Sequence, residues 1–183
     1  MTPPIRSDHP IRKWFAGLVE ASFQTRVGLC DPSLTDYLVG LLTEFIHVER
    51  INSLTDGSGQ RIEDLSGMLY TIEKNPSPER DARLREVHRH IGDYTLFWTG
   101  VYPENLRRMH RRHDRDELVS YFEQGKRSYG IASHLSDDTG QPPRRVLEML
   151  SDEFEICAYG LGLVRKEWET GGSSIIPIRF EPT

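Results

Sequence analysis

Glu44-Phe-Ile-His47 sets a carboxylate and an imidazole three residues apart, which on a helix puts both on one face where they could share a metal ion. Further along, Glu86, His88, His90 and Asp93 crowd a second helical stretch, with His90 and Asp93 on a common face, and Glu153 borders the apolar stripe of a third. Glu44, His47, His88, His90, Asp93 and Glu153 form the candidate metal-ligating set, and a Mn, Fe or Zn centre held by them would activate water or dioxygen. The competing expectation is structural. Glu44 and His47 fall at the border of an apolar stripe, where side chains are solvated or bond locally. His88, among Leu84, Val87 and Ile91, reads as a neutral core histidine with a hydrogen bond.

In part, this pattern resembles ferritin-like di-iron proteins, which use two ExxH elements plus a glutamate from each of two further helices. The resemblance covers one ExxH, Glu44 to His47. Glu86 is followed at the third position by Arg89 and Glu153 by Ile156, so no second ExxH is present. It implies a di-iron-like or mononuclear non-haem centre as the alternative to a chain without a cofactor, which is the leading expectation. No CxxCH motif supports covalent haem attachment.

The most unusual run is Leu106-Arg-Arg-Met-His-Arg-Arg-His-Asp-Arg115. Arg108, Arg111, Arg112 and Arg115 fall at spacings that share one helical face, with Arg107 beside them, while Leu106, Met109 and His113 make the face that docks inward. Guanidinium groups so close repel one another unless an anion or an acidic partner answers them. Residues 104 to 117 nevertheless sum to only +1, five arginines against Glu104, Asp114, Asp116 and Glu117. No aromatic residue interleaves the run to stack on bases, and the chain's net charge is −5. A protein or anionic partner is therefore expected ahead of nucleic acid.

Two glycine-bearing motifs fail as phosphate sites. Gly125-Lys-Arg-Ser-Tyr-Gly130 lacks the order of a phosphate-binding loop, and Gly160-Leu-Gly162 has no strand before it. Both fall within helices, whose interior N–H groups are already engaged. Ser128 lacks a nucleophile elbow, and Cys157 on an apolar stripe reads as an inert thiol. With no complete catalytic set, a non-enzymatic role is expected.

The elements that must position these residues are helices. Apolar periodicity predicts helix A from Trp14 to near Gly28; helix B to about Arg50, with Ser33 as its N-cap; helix C from Glu63 to Lys74; helix D from Pro78 to about Thr99, capped by Gly100; a short basic helix from Glu104 to about His113; helix E from about Asp114; and helix F, the longest, with its stripe from Val146 to Trp168. Asp56-Gly57 signals a small β-hairpin after the second helix, with a plain loop as the alternative. The expected architecture is all-α: a single-domain antiparallel bundle of about six helices over 11–171, an extended segment 1–10 and a tail 172–183.

Every main helix carries an interior glycine (Gly17, Gly40, Gly67, Gly92, Gly125 with Gly130, Gly160 with Gly162), each costing roughly 0.5–1 kcal/mol relative to alanine. Close helix contact offsets this in the plainer reading. In the sharper one a flat ligand lies between the helices, in a pocket lined by Gly92, Trp98, Gly125, Lys126 and Tyr129.

Composition sets the frame. The 183 residues make one domain's worth of chain, 37% apolar and 28% charged. The longest apolar run, Ile156 to Val164, is far short of the roughly 20 residues a bilayer span needs, so no membrane association is expected. The first ten residues have no apolar signal region, and Cys30 and Cys157 make no disulfide framework, so a cytoplasmic location is expected. Arginine outnumbers lysine 19 to 4, which fits either bidentate contacts or codon usage. Oligomeric state is not readable from these features.

Overall fold

The computed structural model describes residues 9–45, 80–104, 106, 116–136 and 141–171. Among them are six α-helices and no strand: α1 (Pro10–Ser22), α2 (Pro32–Phe45), α3 (Arg80–Gly100), α4 (Asp116–His134), α5 (Arg144–Asp152) and α6 (Phe154–Gly171). The hairpin expected near Asp56 and helix C lie outside the described residues, as do residues 1–8 and the tail 172–183.

Helix α1 starts earlier than an extended segment 1–10 allows. Pro10 takes the first helical position, where its missing N–H costs nothing, and His9 caps it through Nδ1, which accepts from the Ile11 N–H at 3.3 Å. The helix widens into a π-turn over Phe23–Val27 and ends at Gly28, whose φ of 80° is the left-handed conformation glycine accepts without strain. Helix α2 is capped two residues before the expected Ser33. Asp31 Oδ1 accepts from the N–H groups of Ser33 (2.9 Å) and Leu34 (3.0 Å), and Pro32 fills the first helical position. Asp31→Ala therefore lowers stability by about 1 kcal/mol, read as an earlier urea midpoint, whereas Asp31→Ser stays close to the parent. The Asp31–Arg145 pair adds little, since Arg145 is exposed.

The stripe read as one long helix F is two helices. At Glu153 the backbone turns (φ −107°, ψ 27°). The break lets α5 lie on α4 and α2 while α6 lies on α3 and α1. The longest described helix is instead α3, at 21 residues. It packs against α2, α4 and α6, and every residue from Ile91 to Gly100 is buried. Buried threonines in it are satisfied by their own helix: Thr95 Oγ1 donates to Ile91 O at 2.8 Å and Thr99 Oγ1 to Thr95 O at 2.7 Å. Gly100 is not a left-handed cap. Its missing Cβ lets α6 approach, since a methyl group there would stand 2.9 Å from Ala158 O. The core around α3 is built from Phe15, Val19, Phe23, Leu34, Leu38 and Leu42 together with Ile91, Phe97, Leu147 and Phe154. No described helix is long and apolar enough to cross a membrane.

Candidate functional site

One carboxylate joins three helices. Asp93 on α3 is 4% exposed. Its Oδ1 accepts from Tyr37 Oη of α2 at 2.5 Å and from Tyr129 Oη of α4 at 2.8 Å, and its Oδ2 accepts from Arg89 Nη1 at 2.8 Å. Arg89 also pairs with Glu86 one turn back on α3. Burial pushes the Asp93 carboxyl up to about 6, against the opposing pull of Arg89 and the two phenols. The same burial, with the Asp93 charge beside them, raises both phenols well above their ordinary value. Glu86 moves the other way, held down by Arg89 despite its partial burial.

The other expected metal ligands do not gather around this carboxylate. Glu44 is exposed, His47 lies outside the described residues, and Glu153 is half-buried at the α5–α6 break. His90 stacks near Phe45 of α2 with ring centroids 6.1 Å apart. His88 is buried, its Nδ1 has no hydrogen-bond partner among the described residues, and burial followed by the nearby Arg127 charge lowers its pKa. Among the described residues no three His, Cys, Asp or Glu side chains are grouped so as to hold a metal ion. Cys157 is buried, and burial raises its thiol to about 12, so it carries no thiolate at neutral pH.

The residues expected to line a pocket are placed differently from one another. Gly92 holds the ring of Tyr129, and a Cβ there would stand 2.7 Å from it. Gly125 holds the ring of Phe154 and Gly160 that of Phe23, each at 2.4 Å from a Cβ placed on the glycine. These glycines are notches filled by the protein's own aromatic rings. Trp98 packs among Tyr94, Phe97 and Tyr102. Lys126 reaches the surface and pairs with Glu155 of α6 at 2.9 Å.

A groove of about 320 Å³ opens elsewhere, where α3, α4 and α6 meet, over the glycines Gly100 and Gly162. Thr99 and Ala158 join them, and Phe122, Glu155, Tyr159, Leu163 and Lys166 complete the lining. Tyr159 is 61% exposed and Ile156 on the same helix 43%. Tyr159 is among the aromatic residues the sequence offers as lining for a cavity between glycine-bearing helices, but the groove's place over Gly100 and Gly162, rather than Gly92 and Gly125, depends on how α6 crosses α3. The 3.6-residue period places residues 155, 156, 159 and 166 off the stripe formed by Cys157, Leu161, Val164 and Trp168, and that offset is the readable signal.

The arginines Arg107, Arg108, Arg111, Arg112 and Arg115 lie outside the described residues, but the chain on either side is described. Before the run, Leu106 is buried and Glu104 pairs with Arg165 of α6 at 2.5 Å. Arg165 also donates to Val101 O and Glu169 and lies 4.6 Å over the Tyr102 ring. After the run, α4 begins at Asp116.

No protein-family model, no curated protein and no solved structure matches this chain.

Proposed function

We propose that this chain is a non-enzymatic helical binding module of the cytoplasm, its helices over 11–171 forming one antiparallel bundle, with the arginine run 107–115 taking an acidic protein partner. The observation that carries this reading is the Glu104–Arg165 ion pair at 2.5 Å. In the sequence Glu104 is one of four acids bracketing five arginines. With Glu104 engaged by α6, five arginines face three remaining acids, and the run's surplus doubles from +1 to +2. A second support is that Asp93, the buried acid most shifted toward neutral pH among the described residues, already accepts three hydrogen bonds, from Arg89 and two phenols, as a group that joins helices does. Free cysteines, one exposed and one buried, agree with a reducing compartment.

Fluorescence anisotropy with a labelled polyglutamate peptide, run beside a DNA duplex of equal charge, tests the proposal. The peptide binds the parent chain with salt-sensitive affinity and binds it better than the duplex. Replacing Arg108, Arg111 and Arg112 together with alanine weakens the peptide roughly tenfold or more. Unchanged affinity in the triple variant, or a preference for the duplex, overturns it.

A further inference from the structure

The geometry points to α6 as a self-association surface: two copies of this chain pack α6 against α6 in antiparallel fashion, with Tyr159 of each copy seated in the Gly100–Gly162 groove of the other. The groove-lining residues that α6 contributes along its exposed ridge are Glu155, Tyr159, Gly162 and Lys166. Their spacings of four, three and four keep them on one face of the helix. The stripe is symmetric about the point midway between Gly160 and Leu161. A two-fold axis through that point matches residue 155 with 166 and residue 159 with 162.

Each match is complementary. Glu155 meets Lys166 of the second copy, opposite in charge, and Tyr159, the most exposed large hydrophobic side chain among the described residues, meets Gly162, the residue with no side chain to obstruct it. The inner neighbours Ala158 and Leu163 are matched by the same operation. Groove and ridge are thus parts of one patch that fits itself, as an isologous interface requires. Lys166 has no ion pair among the described residues. Among the described residues Glu155 pairs with Lys126 alone, and a second lysine can join it.

The stripe spans twelve residues, roughly 17 Å of helix, which is short for a permanent dimer. A reversible dimer with a dissociation constant on the order of 10 μM is the expected strength.

Sedimentation velocity on the full chain between about 1 and 300 μM reads this directly. The mass rises from the 21.1 kDa monomer toward twice that value. Tyr159→Glu changes an exposed side chain, leaves the circular dichroism spectrum unchanged and holds the chain monomeric throughout. Glu155→Lys alone and Lys166→Glu alone each weaken self-association at least tenfold, because each variant sets like charges across the axis. An equimolar mixture of these two single variants recovers the dimer, since every cross-axis pair is then again lysine with glutamate. Loss in each single variant together with recovery in the mixture marks antiparallel pairing, because a parallel pair would set like charges across the axis in the parent chain already. A parent chain that stays monomeric at every concentration overturns the proposal, and so does a dimer indifferent to Tyr159→Glu or a mixture that fails to associate. A small molecule or a different protein in the groove would give the first of these results.

Discussion

Asp93→Ala and Asp93→Asn are expected to move stability in opposite directions at pH 7. Alanine removes the acceptor from two buried phenols and a largely buried guanidinium at once. A buried donor left with no acceptor costs about 1–3 kcal/mol, and alanine leaves such donors on three side chains, so this variant loses a large share of the fold's net stability. Asparagine keeps the shape: its oxygen accepts from Arg89, and its two amide hydrogens face the oxygens of Tyr37 and Tyr129, where the protonated acid has one O–H to donate. Asp93 has a folded pKa of about 6 against an ordinary 3.8, about two pH units at 1.36 kcal/mol each. The neutral form is therefore favoured in the fold by roughly 3 kcal/mol, and Asp93→Asn raises stability at pH 7 by up to that amount.

A carboxyl whose pKa is raised on folding binds its proton more tightly folded than unfolded. Its contribution is fully present below about pH 4 and is lost as pH rises through 6. Glu86 is lowered instead and works in the opposite sense, but it is largely exposed and its effect is small. Subtracting the asparagine variant isolates Asp93. Urea unfolding at pH 4, 5, 6 and 7 should show the two proteins nearly equal at pH 4 and the variant ahead at pH 7. A parent chain that gains on Asp93→Asn as pH rises would falsify this account.

Much of the helical framework was legible from periodicity, because the apolar stripes of α1 and α2 are long and regular: Phe15, Val19 and Phe23 in one, Leu34, Leu38 and Leu42 in the other are all buried as their spacing implies. The central position of α3 was not legible. Its first half is rich in charge, so its pattern is that of a surface helix. Yet Ile91 to Gly100 is buried on all sides, because threonine hydroxyls bond back to the helix and two glycines admit neighbouring elements. Asp93 and Tyr129 were each singled out in the sequence, for a metal and for a pocket. That they meet each other, with Tyr37 and Arg89, depends on contacts between residues 36 and 56 positions apart, which no local spacing encodes. The Glu86–Arg89–Asp93 ladder was readable, since three- and four-residue spacings fix it within a single helix. The boundary at Glu153 was hidden because α5 and α6 bury the same side of one continuous apolar pattern on different neighbours.

Gly125→Ala and Gly160→Ala should each lower stability by about 1–3 kcal/mol, although alanine is the better helix former at both positions. The new methyl group would meet the Phe154 or Phe23 ring at 2.4 Å, and at Gly125 also Thr95 Oγ1 at 2.6 Å. Overpacking of that kind outweighs the roughly 0.5–1 kcal/mol gained in propensity. Gly17 supplies the contrast. It is exposed, a Cβ there meets nothing within 4 Å, and Gly17→Ala should be neutral or stabilising by up to about 1 kcal/mol. In thermal melts, Gly125→Ala and Gly160→Ala then fall below the parent by a few degrees while Gly17→Ala does not. A double variant separates a steric notch from general helix strain. Phe154→Leu alone opens a cavity and destabilises, but in the Gly125→Ala background the smaller side chain also relieves the clash, so the two losses combine to less than their sum. Strict additivity would mean that ring and glycine are independent. The cost of the missing Cβ would then have some cause other than the ring packed against it.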